Sequence, residues 1–191
     1  MSRARVEHEL DALARLSTAC KSLGDRVAAV AMRYTEVLKG GGTLFFCGNG
    51  GSAADAQHLA AEYLVRYAKN RRPLAAVALT TDTSILTAAA NDLGFEQVFA
   101  RQVEALCRAG DLLVLHSTSG KSPNLLAAAR AARTRGCGTV AFLGAGGGPL
   151  ADLVDESILV PEDATGRIQI LHLALEHLIV ELVEEALLPT A

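Results

Sequence analysis

The sequence has no tryptophan, and only three tyrosines and five phenylalanines are spread over its 191 residues. A core must therefore be assembled mainly from alanine, leucine and valine, which suits helices packed on a parallel sheet. Cysteine is equally sparse. Cys20, Cys47, Cys107 and Cys137 are widely separated, with no CxxC pair. That argues against a disulfide framework and for free thiols in a reducing compartment. Lysine and arginine form no block, and the formal net charge is −3, so nucleic acid is not an expected partner. No apolar run approaches the length of a membrane span. The start, Met1-Ser2-Arg3-Ala4-Arg5, leads into a charged helix and not into the apolar stretch of a secretion signal. A cytoplasmic protein without a membrane partner is the expectation. Internal repeats and low-complexity linkers are also missing, and the length fits one domain, 1–191.

What the chain does contain is an alternation of short apolar runs and helical stripes. Strands are expected at 43–47, 75–79, 111–116, 139–143 and 157–160, each bounded by Gly, Pro or Asp. Helical patterns fall between them at 52–67, 83–91, 95–108, 122–135 and 149–154. Two more helices precede the first strand. One carries the stripe Val6, Leu10, Leu13 and Leu16, and the other runs from Val27 to Leu38 and stops at Gly40-Gly41-Gly42. The fold class is thus α/β: a three-layer, doubly wound sandwich around a five-stranded parallel sheet, preceded by two N-terminal helices. Ligands of such folds bind beyond the carboxyl ends of the strands. The last helix, 165–187, is apolar on most sides, from Ile168 through Leu171, Leu175, Leu178 and Ile179 to Leu182 and Val183. A helix of that kind must be covered on most sides, which points to a subunit interface.

Three segments carry chemistry. The run Thr43-Leu44-Phe45-Phe46 breaks into Gly48-Asn49-Gly50-Gly51, and Ser52 then opens a helix with Asp55 at capping-box spacing. Bare backbone N–H groups at a helix start favour an anion. On the same helix His58 and Glu62 are four residues apart and share a face, so they can share a metal ion or a substrate proton. The second segment, His116-Ser117-Thr118-Ser119-Gly120-Lys121-Ser122-Pro123, again follows an apolar strand and opens a helix at Ser122 and Pro123. Clustered hydroxyls there suit a phosphate monoester, and the GxxxxGK[ST] spacing of a nucleotide-hydrolysing loop is absent. The third segment places Gln169, His172 and His177 within an apolar helix, where each needs a partner if buried. Gln169 and His177 are eight residues, about 12 Å, apart along an ideal helix. Asn91-Asp92 before Gly94 reads locally as a helix end.

Residues 40–187 resemble the sugar isomerase (SIS) domain and, within it, the phosphoheptose isomerases. The resemblance is carried by Gly48-Asn49-Gly50-Gly51-Ser52, His58-x-x-x-Glu62, Asn91-Asp92, Ser117 to Ser122, and Ile168-Gln169 with His177. It implies a homotetramer with active sites between subunits, and a sugar phosphate as substrate. Ser117, Thr118, Ser119 and Ser122 would hold the phosphate, Asn49, Gly50, Gly51 and Ser52 would line the site, and Asn91, Asp92 and Gln169 would contact substrate. It also implies one zinc ion per subunit, held by His58, Glu62, Gln169 and His177. The implied reaction turns the ketose sedoheptulose 7-phosphate into the aldose D-glycero-D-manno-heptose 7-phosphate, with Glu62 as base and His177 as acid. His116 is the odd residue. It either pairs with the phosphate or is a strand-end histidine bonded to local backbone.

Two other functions fit parts of this pattern. One is a non-catalytic SIS-domain regulator that binds the replication initiator, for which Glu62 and His177 would have no use. The other is an isomerase or sensor of a different sugar phosphate, whose phosphate loop would look the same.

Overall fold

The computed structural model describes residues 2–188; Met1 and residues 189–191, part of the single-domain reading, lie outside the described residues. Five parallel strands form one sheet in the order β2-β1-β3-β4-β5. They are β1 (Leu44–Gly48), β2 (Ala76–Ala78), β3 (Leu112–Ser117), β4 (Gly138–Leu143) and β5 (Glu156–Leu159). The helices are α1 (Arg3–Ala19), α2 (Gly24–Lys39), α3 (Gly51–Leu64), α4 (Thr83–Asp92), α5 (Ala100–Leu106), α6 (Pro123–Arg135), α7 (Gly148–Ala151) and α8 (Thr165–Leu187). The expected α/β doubly wound architecture is the observed one. Boundaries shift by a residue or a few, and the 95–108 pattern divides into a 3-10 turn, Phe95–Gln97, and α5.

The period-two alternation of the strands sorts their side chains into two layers. Leu44, Phe46, Leu112, Val114, Val140 and Phe142 face one apolar cluster, with Tyr34 of α2, Leu59 and Tyr63 of α3, and Ile168 and Ile179 of α8. Phe45, Cys47, Leu113, Leu115, Ala141 and Leu143 face the other, with residues of α4, α5, α6 and α7. The central strands are buried on both faces, which explains their near-continuous hydrophobicity. All four cysteines are buried and unpaired.

Two expectations about helices change. The α1 stripe is not a buried stripe within the chain: Leu16 is buried, but Val6 and Leu10 stay 57 % and 61 % exposed. Helix α8 buries not only apolar residues but also His172, Glu176 and Glu184, which a hydrophobic pattern cannot reveal. Ile170, Leu178 and Leu182 remain exposed on its outer side. Among the described residues no helix is long and apolar enough to cross a membrane.

Glu184 shows what a buried charge does here. Its carboxylate accepts hydrogen bonds from the backbone N–H groups of Tyr67, Ala68 and Lys69 and from Arg71 Nε at 2.9 Å. Arg71 in turn donates to the carbonyls of Glu62 and Tyr63. One carboxylate thereby fixes the segment after α3, including Tyr67, onto α8. Burial opposes ionisation of Glu184, but the three N–H donors and Arg71 outweigh it and hold the carboxyl below its ordinary value. A depressed carboxyl contributes stability above the unfolded pKa, about 4.3, and that contribution is lost as pH falls through the folded value. E184Q leaves a guanidinium that is 2 % exposed without a counter-charge. We expect it to lose about 3 kcal/mol at pH 7, measured by urea unfolding. The gap to the unmodified protein should narrow below about pH 4; a gap that stays constant to lower pH would contradict the assignment.

Candidate active site

In the order 2-1-3-4-5 the chain reverses direction across the sheet between β1 and β3, and a crevice opens beyond the ends of these two strands. The loops leaving them are the two glycine- and serine-rich segments. Together with the start of α8 they line a cleft of about 280 Å³. Asn49, Gly50, Gly51 and Ser52 come from the β1 loop. Ser117, Thr118, Ser119 and Ser122 come from the β3 loop, and Thr165 and Gln169 from α8.

The β1 loop turns at Gly50, whose φ of +57° is open to glycine and strained for other residues. This starts α3 at Gly51, earlier than the sequence suggests, and the expected Ser52–Asp55 capping box does not form. Ser52 lies inside the first turn and its Oγ accepts from Gln169 Nε2 at 3.5 Å. Asp55 is turned inward; one carboxylate oxygen has no partner, and burial pushes its carboxyl up despite His116 and His58 nearby. A Cβ on Gly51 would stand 2.6 Å from Gln169 Oε1, so the missing side chain is what leaves room for the Gln169 amide against the start of α3. Asn49 is held by a reciprocal amide pair with Asn124, at 3.0 and 2.8 Å, which ties the β1 loop to the first turn of α6.

The β3 loop is organised by Ser117, whose Oγ accepts from Gly120 N–H at 3.0 Å. Gly120, at φ +62°, passes so close to the 144–148 loop that a Cβ would overlap Gly147 O. Ser122 and Pro123 do open α6, but the Ser122 side chain makes no capping bond, leaving its hydroxyl free at the cleft. Hydroxyls and helix N-termini of α3, α6 and α8 thus converge on one small volume, an arrangement suited to a phosphate group.

A second group of side chains sits further along the same two helices. His58 and Glu62 of α3 meet His177 of α8, with ligand atoms of all three within 4.8 Å of one another. His58 Nε2 is 2.9 Å from His177 Nε2 and 3.3 Å from Glu62 Oε1. Tyr67 stacks on the His177 ring at 5.2 Å between centroids. The two donor pairs that involve His58, at 2.9 and 3.3 Å, are near the edge of about 3.3 Å of a tetrahedral zinc site with bonds of about 2.0–2.1 Å, and all three donors lie within 4.8 Å of one another. The residues present therefore fit a divalent metal, with a position left open.

The structure does not bring every expected site residue together within one chain. Gln169 stays at the start of α3 with Gly51 and Ser52, about two turns from His177, and does not join the His58–Glu62–His177 group. Asn91 and Asp92 end α4, exposed and bonded to each other at 2.7 Å, and do not line the cleft. His172 is a core residue: its Nε2 lies 3.1 Å from Leu143 O, and burial pushes its pKa down to about 3. His116 is neither bonded to local backbone nor turned toward the α6 side; it pairs with Glu176. Burial raises the Glu176 carboxyl, against the pull of His116 and Tyr34. Sequence reading missed Thr165, Asn124 and Tyr67. Asn124 had a signal, an amide in the first turn after Ser-Pro, whereas Tyr67 is placed only by the Glu184 anchor.

A family model described as the SIS domain matches residues 9–144, and the chain belongs to that family. Among proteins it resembles, the phosphoheptose isomerase of Rhodospirillum rubrum is 50 % identical over 95 % of this chain and 99 % of that protein. The phosphoheptose isomerase of a Roseiflexus species is 55 % identical over 84 % and 82 %. The solved phosphoheptose isomerase of Neisseria gonorrhoeae superposes with a TM-score of 0.91 at 41 % identity, covering 96 % of this chain and 98 % of that one. Within the SIS family the chain stands among the phosphoheptose isomerases.

If the approach of the β3 loop to residues 144–148 shapes the cleft, G120A should displace it. The substitution forces both a strained φ and a backbone overlap. We expect a loss of about 2 kcal/mol or more in stability, read by thermal unfolding, together with weakened phosphate binding read by calorimetry. Unchanged phosphate affinity would separate this loop from the site.

Proposed function

We propose that this aldose–ketose isomerase acts on sedoheptulose 7-phosphate, converting it to D-glycero-D-manno-heptose 7-phosphate through an enediol, and that zinc assists. The observation that carries the proposal is the placement of an acid–base group, His58, Glu62 and His177, on the same two helices that open on the hydroxyl-lined cleft. Gly51 and His58 are seven residues, about 10 Å, apart along α3. An extended seven-carbon sugar phosphate covers such a span, and a three-carbon one does not.

Ser117, Thr118, Ser119 and Ser122 hold the phosphate with backbone N–H groups at the helix starts. Asn49, Gly50, Gly51, Ser52 and Gln169 line the path of the sugar. Glu62, half-buried, takes the proton from the carbon beside the carbonyl, and His177 delivers a proton to the oxygen; each transfer is typically worth 10²–10⁴-fold. Tyr67 stacking restrains the His177 ring for that exchange. His58, Glu62 and His177 would hold the metal, and Gln169 would reach it only by repositioning its side chain or from a neighbouring subunit. When bound there, a divalent ion would polarise the carbonyl and stabilise the enediolate charge.

A homotetramer with sites between subunits belongs to the same proposal. It would cover the exposed apolar residues of α1, α2 and α8, among them Val6, Leu10, Met32, Ile170 and Leu178, and bring Asn91 and Asp92 to a neighbouring cleft.

The test is conversion of sedoheptulose 7-phosphate, followed by NMR, with metal-free and zinc-loaded protein. Conversion should depend on the metal and fall by at least about 10²-fold in E62Q. Fully loaded protein that leaves the ketose unchanged would refute the substrate, and metal-free protein of undiminished activity would refute the zinc.

A further inference from the structure

The first turns of α8 form part of the cleft wall through Thr165 and Gln169, yet little in their own sequence holds them. The N-cap is Ala164, which makes no side-chain capping bond, and the second helical residue is Gly166, the least helix-favouring type short of proline. The hold comes from outside the helix. Glu162 Oε1 accepts from the N–H groups of Asp163 and Ala164 at 2.8 and 2.9 Å, and Glu162 Oε2 accepts from Arg167 Nε at 2.7 Å. This pair closes the turn 162–167, which contains Thr165. Arg167 Nη1 also donates to Glu9 Oε2 of α1 at 2.8 Å. Arg167 and the two N–H groups hold the Glu162 carboxyl down to about 2, so the pair is charged at neutral pH.

The backbone of this turn reaches the serine loop. Glu162 O accepts from Ala145 N–H at 3.2 Å, and the adjoining Gly144 N–H donates to Thr118 O at 3.2 Å. A Cβ on Gly144 would stand 2.5 Å from Thr118 O and 2.8 Å from Ile168 Cδ1, so the serine loop, the turn and α8 meet there without spare room. Neither Glu162 nor Arg167 lines the cleft. An ion pair whose side chains stay 19 % and 28 % exposed adds little to overall stability. Its effect is local: it sets where Thr165 and the loop behind it stand.

We infer that Arg167 and Glu162 are positioning residues of the isomerase site: their ion pair fixes the 162–167 turn, and through it the places of Thr165 and the serine loop around the substrate phosphate. The inference rests on the proposed sugar-phosphate reading. Arginine suits the task because its planar fork donates to Glu162 from Nε and to Glu9 from Nη1, joining the turn to α1 in one fixed geometry.

R167M and E162Q each break the pair. Each should weaken binding of inorganic phosphate, read by calorimetry, by about fivefold, the size of one hydrogen bond. KM for sedoheptulose 7-phosphate should rise by the same factor. In both variants kcat should stay within about twofold, because His177 stands about two turns beyond Gln169, and the thermal midpoint should stay within about 2 °C. The double variant should bind phosphate no more weakly than either single one, since all three break the same link. Weakening in R167M but not in E162Q would mean that Arg167 meets the phosphate itself and would overturn the positioning role. Unchanged affinity in both variants, or losses that multiply in the double variant, would overturn it as well. So would a lowered midpoint with KM and kcat changing together, the mark of a general loss of structure. The phosphate measurement needs no turnover. Unmodified protein that binds phosphate without converting the ketose would refute only the proposed reaction, and the affinities would still decide the role of Arg167; unmodified protein that binds no phosphate would refute both.

Discussion

The site depends on the close parallel packing of α3 against α8. At one end the bare backbone of Gly51 touches the Gln169 amide; about two turns on, His58 meets His177; beyond that, Glu184 holds the segment that follows α3. These contacts advance along both helices together, so a single packing arrangement sets the hydroxyl-lined cleft and the His58–Glu62–His177 group at a fixed separation. A side chain at position 51 would meet the Gln169 amide, which would have to swing away from its place beside Ser52. The geometry is therefore a property of two helices in contact and not of a flexible loop, which is how a site keeps its groups oriented between turnovers.

Beneath those helices lies a polar layer unusual for so aliphatic a chain. The few aromatic rings are concentrated there: Tyr34, Phe46, Tyr63 and Phe142 pack around His116 and His172. Unpartnered atoms of Asp55, Tyr63, His116, His172 and Glu176 all belong to this layer or its edge. Buried groups left unsatisfied are rare in a native core and are most easily understood where a ligand or ordered water completes them. The outer face of the same helices is the reverse, with exposed Met32, Leu178 and Leu182 and a shallow groove between α2 and α8.

Much of this was legible in the amino-acid order. Strands buried on both faces read as apolar runs, and loops that reverse direction read as glycine and serine, so the α/β order and both cleft-lining segments were visible. The i, i+4 spacing of His58 and Glu62 was visible because helical periodicity is local. What stayed hidden was everything that depends on which helix meets which. The start of α3 moved because Gly50 adopts a left-handed turn. Gln169 was grouped with His177 through the resemblance, yet its amide lies beside Gly51 and Ser52 at the cleft. His116 could not be assigned because its partner, Glu176, lies sixty residues away on α8. Asn91 and Asp92 carry no local signal beyond a helix end, and one chain alone does not bring them to the cleft.

The measurement that bears most directly on the central claim is a crystal structure of the zinc-loaded protein with sedoheptulose 7-phosphate bound. The account predicts the phosphate on the hydroxyls of Ser117, Thr118, Ser119 and Ser122. The first two carbons should lie within reach of Glu62 and His177, with the chain of the sugar passing along the α3–α8 contact. A phosphate bound away from the serine loop would contradict it, as would a sugar whose carbonyl end points away from Glu62.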